Sequence, residues 1–123
     1  MIKLVQAPAR IDAAGNVPKK IEEYFGRVNS NTRELSIARM ESPPGWNEPG
    51  QTPEFDEYTV VTHGTLKVET RKDVFYVHAG QAIMIGRGEW VKYSSPEPAG
   101  AGYFAVCIPA FSPDAVHRED PEQ

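Results

Sequence analysis

Gly45-Trp46-Asn47-Glu48-Pro49-Gly50-Gln51-Thr52-Pro53-Glu54-Phe55-Asp56-Glu57-Tyr58-Thr59-Val60-Val61-Thr62-His63-Gly64 is the stretch on which the fold turns. From Pro43 to Pro53 the chain places four prolines and two glycines. Proline fixes φ and removes a backbone donor, so this density excludes a helix or a central strand and reads as a structured loop. Tyr58 to Val61 then turns β-branched and aromatic, the composition of a strand, and Thr62-His63-Gly64 reads as the turn that ends it. Residues 41 to 57 hold five acids (Glu41, Glu48, Glu54, Asp56, Glu57) and no base, whereas residues 1 to 40 hold seven Lys/Arg against four Asp/Glu. Such an acidic run is either a solvated loop or part of a site.

Downstream, turn signals recur at Arg71-Lys72-Asp73, His78-Ala79-Gly80, Arg87-Gly88 and Pro96 to Gly102. The intervals Thr65–Thr70, Val74–Val77, Ala82–Ile85, Val91–Ser94 and Gly102–Ile108 read as strands. Upstream, Glu34 to Met40 alternates apolar and polar residues with the period of a half-buried strand. Val17 to Gly26 carries an early proline, early acids and a glycine stop, which reads as a short helix at best. Many short strands without interleaved helices make the chain all-β, a sandwich or barrel that protects its edges by pairing or closure. The expected organisation is an N-terminal arm over residues 1–33, a barrel over 34–110 and a tail over 111–123. The tail is expected to pack over the barrel mouth or on a neighbouring subunit.

Two spacings carry a family resemblance. Gly45, Gln51, Pro53, Glu57 and Gly64 keep every interval of the first cupin signature, and Gly80, Gly86, Gly88, Val91 and Ser95 keep those of the second. The chain therefore resembles a small single-domain cupin over about fifty residues. The resemblance implies a jelly-roll barrel, also called a double-stranded β-helix, with an N-terminal arm. In that family three histidines and a glutamate hold a divalent transition metal inside the barrel. Here Gln51, Pro53 and Val91 stand at the histidine positions, and Glu57 alone keeps its identity. Gln51 has only a neutral amide oxygen to offer, and Pro53 and Val91 have no side-chain ligand. The cofactor expectation is accordingly either none or a divalent metal ion held by oxygen from Gln51, Glu54 and Glu57.

Glu57 is the leading catalytic candidate, because a carboxylate inside a barrel is costly unless bonded or used, and desolvation raises its pKa toward neutrality. Tyr93 shares a strand face with Val91 and is a second candidate; His117, in a charged tail, is a third. Gln51, Trp46, Val91 and Phe104 are candidate substrate contacts, with Trp46 either capping the cavity or meeting a partner. Trp90 is expected to pack between sheet and arm. The inward set on the last strand is either Phe104 and Val106 or Tyr103, Ala105 and Cys107, since a one-residue slip exchanges them. His63 and His78 sit beside turn glycines and read as surface residues. Cys107 reads as a small buried hydrophobe.

The formal net charge of −4 argues against a field that attracts phosphate backbones, so nucleic acid is not expected as a partner. A single cysteine excludes a disulfide framework and fits a reducing cytoplasm. No stretch nears the roughly 20 apolar residues of a membrane helix, so no membrane partner is expected. The apolar residues of the arm favour a homodimer. Three readings of function stay open: a small-molecule isomerase, cyclase or lyase using Glu57 for acid/base chemistry, a metal-dependent oxygenase or decarboxylase, and a non-catalytic barrel holding a small organic ligand.

Overall fold

In the computed structural model, which describes residues 1–120, nine strands and one helical turn follow one another. They are β1 Ala9–Ile11, β2 Lys20–Phe25, β3 Ser36–Ser42, β4 Trp46–Asn47, β5 Asp56–Thr70, β6 Val74–His78, β7 Ala82–Ile85, β8 Val91–Ser95, β9 Ala101–Ile108 and α1 Pro113–Val116. All pairings are antiparallel. The strands run in the order β1-β2-β3-β9-β5-β8-β4, with β6 and β7 also paired to β5.

The strand β5 organises the barrel. Its first half pairs with β9 on one side and β7 on the other, and its second half pairs with β6 and β8. Sequence reading divided this segment into two strands at Thr62-His63-Gly64. Instead the strand runs through, and the ladder to β9 slips one residue between Val61 and His63. A bulge of this kind bends a strand without ending it. Gly64 makes the bend possible: its φ is +69°, and a Cβ there would collide with the carbonyl oxygen of Gly100.

The expected helix within Val17 to Gly26 is a strand. Its apolar and polar residues suit either period over so short a run, and pairing of Lys20–Phe25 with β3 decides the matter. The arm is thereby part of the sheet, its strand β2 being hydrogen-bonded to β3 and covered in turn by β1. The apolar residue Ile21 is used within the chain, since it lines the cavity described below.

Trp46, Val61, Leu66, Val68, Val77, Ile85, Val91, Tyr93, Ala101 and Tyr103 form the main core. A smaller cluster of Phe55, Cys107 and Val116 packs with Phe111 and Ala115, tying the tail to the barrel. Backbone bonds from Thr52 to His117, Glu54 to Ala115 and Glu119 to Gly50 lay the tail along the proline-rich loop. From Tyr103 onward β9 buries Tyr103, Ala105 and Cys107 and exposes Phe104, which fixes the register left open by the sequence. Among the described residues no helix is long and apolar enough to cross a membrane.

Candidate functional site

A cavity of about 60 Å³ lies inside the barrel, lined among others by Gln51, Glu57, Tyr93, Lys19, Glu48 and Arg118. The first three come from positions tied to the sequence spacing. Gln51 and Val91 exchange backbone hydrogen bonds of 2.9 Å in both directions, so the loop and β8 are locked in register at this point. Glu57, on β5, is paired with Cys107 of β9 and Ile85 of β7. Tyr93 Oη donates to Glu57 Oε1 at 3.3 Å.

Lys19, Glu48 and Arg118 complete the cavity from three separate segments. Lys19, just ahead of β2, places its ammonium 3.9 Å from the centre of the Trp46 ring and 5.1 Å from that of Tyr103. Such stacking stabilises a cation that has lost water. Glu48, only 5% exposed, lies 3.8 Å from the Arg118 guanidinium of the tail. Two acids thus face two cations in a confined space. Burial, helped by the neighbouring Glu48 charge, pushes the Glu57 carboxyl up to about 7. Lys19, Tyr93 and Arg118 oppose that rise. Burial likewise brings Lys19 down to about 8, against the pull of Glu48 and Glu57. Glu48 is raised by burial as well, with Lys19 and Arg118 opposing.

One group in this cavity is unsatisfied. Gln51 is 3% exposed, and its Oε1 has no hydrogen-bond partner among the described residues. Its lone pairs are thus left to accept from a ligand or from water inside the cavity.

The other candidates lie elsewhere. Trp46 is 1% exposed and belongs to the core, its Nε1 donating to the Ala14 carbonyl at 3.0 Å, so it neither caps the cavity nor offers a free face. Val91 is fully buried in the same core, and Phe104 faces outward at 37% exposure. His117 Nε2 meets Glu54 Oε2 at 2.6 Å on the surface, with both side chains more than half exposed. Glu54 is thus turned away from Gln51 and Glu57, and the three do not form a common ligand set. Trp90 packs on Gly50 and under Arg71 rather than against the arm. His63 lies within β5 and bonds Glu41 at 2.8 Å, while His78 ends β6 and bonds Thr65 at 3.0 Å.

Among the described residues no group of three His, Cys, Asp or Glu side chains is placed to hold a metal ion. At the ligand positions the resemblance implies, the chain supplies one amide, one carboxylate and two side chains without donors, beside a resident ammonium. These residues do not fit the metal of the family.

Sequence reasoning missed Lys19, Glu48 and Arg118. Glu48 was visible as part of the acid-rich run. Lys19 and Arg118 lie well outside the signatures, ahead of Gly45 and beyond Ser95, and only folding of both flanking segments over the barrel brings them in.

A second, more open groove of about 440 Å³ adjoins the first and shares Lys19 with it. Its lining includes Arg10, Lys20, His63 and Glu41. Basic side chains from β1 and β2 therefore flank one approach to the barrel.

No protein-family model matches the chain. The structure resembles the polyketide cyclase RemF from Streptomyces resistomycificus, with a TM-score of 0.74 at 20% identity, over 98% of this chain and 87% of that one. It also resembles the Clostridium difficile EutQ protein, with a TM-score of 0.63 at 25% identity, over 76% of this chain and 64% of that one. Both are barrels of one fold. The chain is a cupin by fold. A curated relative is 42% identical over 106 residues: Endoribonuclease YbeY of Myxococcus xanthus (strain DK1622). The match covers 85% of this chain and 35% of that protein, so the chain spans about a third of its relative's length.

That relative overturns the functional expectations drawn from the sequence. The three small-molecule readings, the small organic ligand as partner and the exclusion of nucleic acid are corrected by a close relative named for cleavage of RNA. A net charge of −4 averages over the whole surface and does not report the local charge of one groove, so it is no ground for excluding nucleic acid.

Proposed function

We propose that this cupin is an RNA-binding module of an RNA-processing protein. In this reading a single strand lies along the groove of Arg10, Lys19 and Lys20, and one unstacked base turns into the barrel. The observation that carries it is the junction at Lys19, which lines both the basic groove and the inner cavity. The kinship with the Myxococcus xanthus endoribonuclease supports RNA as the substrate class. Proteins that recognise single strands commonly combine a basic track for the backbone with a pocket for a splayed base.

The charge arrangement inside favours a base over a phosphate. Glu48 and Glu57 are balanced by Lys19 and Arg118, and an entering phosphate would face both carboxylates in a desolvated space. A neutral heterocycle meets no such cost. The size is consistent: about 60 Å³ holds about four waters at ~15 Å³ each, or about 120 Å³ of displaced liquid, the bulk of one base without its sugar. Cleavage is assigned to the part of the relative outside the matched third, and a divalent ion has no role in the recognition step.

Fluorescence anisotropy with labelled single-stranded RNA dodecamers tests the reading. Binding is expected to be salt-dependent and to weaken about tenfold or more in Arg10→Glu/Lys20→Glu, while chelation of divalent ions leaves it unchanged. Absence of binding at low salt, or binding indifferent to the charge reversal, would overturn it.

A further inference from the structure

The unsatisfied Gln51 acceptor and the stacked Lys19 ammonium share one small cavity with the Glu57 carboxylate. We infer that the barrel selects guanine, with Lys19 donating to the base carbonyl and Gln51 Oε1 and Glu57 accepting from its ring N–H and amino group. This rests on the RNA-binding reading and names the base that reading leaves open.

The hydrogen-bond inventory makes the choice. Lysine brings three donors and no acceptor, the Glu57 carboxylate in its ionised form above about pH 7 brings acceptors only, and the free atom of Gln51 is an acceptor. The Glu48 carboxylate adds further acceptor capacity, although it faces Arg118. With Arg118 set against Glu48 and the Tyr93 hydroxyl donating to Glu57, Lys19 is the cation left to donate, and the remaining Glu57 lone pairs and Gln51 Oε1 are the acceptors. A matching ligand has one acceptor and two donors on a single edge. Guanine presents a carbonyl, a ring N–H and an amino group side by side. Uracil presents two carbonyls around one N–H, so one carbonyl would face an acceptor. Cytosine and adenine present a single amino donor beside a bare ring nitrogen, leaving one buried acceptor unmet. Each such mismatch leaves a desolvated polar group without a partner, which is the means by which a site rejects near-isosteres.

A built-in ammonium also gives a physical account of the missing metal ligands. A divalent ion placed beside Lys19 would be repelled by it, whereas a base carbonyl is attracted. The substitution of donor-poor residues at the family's ligand positions and the arrival of Lys19 from the arm are two parts of one arrangement.

Anisotropy titrations with an oligoadenylate dodecamer carrying one central guanosine, inosine, uridine or cytidine read the preference directly. The guanosine oligonucleotide is expected to bind about tenfold or more tightly than the others, and inosine, which lacks only the amino group, to fall between. In Gln51→Leu the ratio of affinities between the guanosine strand and the others drops below about twofold; a thermal melt confirms that the variant is folded. Equal affinity for all strands, or a preference that survives Gln51→Leu, would overturn the inference and leave RNA binding standing. If no oligonucleotide binds, guanosine monophosphate and adenosine monophosphate are titrated against the fluorescence of the tryptophans, since Lys19 rests on Trp46. A response to the guanine nucleotide alone would then support the base preference and overturn the RNA reading, and no response would overturn both.

Discussion

Holding Glu57 and Lys19 in one buried cavity makes stability depend on pH in an unusual way. The Glu57 carboxyl stands at about 7 in the folded protein against an ordinary 4.5. Between those values the native state holds a proton that the unfolded chain has released, so this group's contribution is greatest below pH 4.5 and is lost as pH rises to 7. Lys19 stands at about 8 against an ordinary 10.5, so between those values the unfolded chain holds the extra proton and stability rises with pH. Each shift corresponds to about 2–3 kcal/mol after allowance for the accessible surface that Glu57 keeps along the cavity. Glu48, also raised, adds to the acid limb. The two groups together place a minimum in stability between pH 7 and 8, where both are charged. Urea denaturation at half-unit intervals measures it, with the wild type compared against Glu57→Gln and Lys19→Met so that other titrations cancel. Glu57→Gln is expected to flatten the acid limb and Lys19→Met the alkaline limb. A Glu57→Gln variant whose stability follows the wild-type curve throughout would refute the reasoning.

Gly64→Ala is expected to cost about 2–4 kcal/mol, because its φ of +69° and the backbone of Gly100 both exclude a Cβ; thermal unfolding measures the loss. Phe55→Ala is expected to cost about 3–5 kcal/mol and to loosen the tail that packs on it, seen as faster amide exchange at Val116. His117→Ala removes an exposed pair with Glu54 and is expected to change stability by less than about 1 kcal/mol and RNA affinity by less than twofold. Dialysis against a chelator is expected to leave the melting temperature unchanged, since the described residues offer no three-ligand group.

The barrel was legible because its marks are local. Glycines at Gly45, Gly64, Gly80 and Gly88 all have positive φ, and each is written into the sequence at a fixed interval. Strand composition then located β3 and β6 to β9 within a residue or two. The arm was not legible, because a six-residue strand such as Lys20–Phe25 is chosen by its partner β3 rather than by its own period. The site divided in the same way. Glu57, Tyr93 and Gln51 follow from spacing and alternation, while Lys19 and Arg118 arrive through tertiary packing of segments distant in sequence. Trp46 was misjudged because a large aromatic on a proline-rich loop gives no local sign of whether it faces solvent or the core.

The course of β5 through both halves of the barrel has a kinetic consequence. Because one continuous strand pairs with β6, β7, β8 and β9, and β9 in turn aligns Cys107 with Ser36, neither half can be completed before distant parts of the chain have met. Such topologies fold slowly and in one cooperative step, since the entropy of closing long loops is lost before the contacts that reward it are made. A break or a misplaced turn near Gly64 would therefore delay the whole molecule, and the half-formed chain would expose the pairing edges of its longest strand to its neighbours.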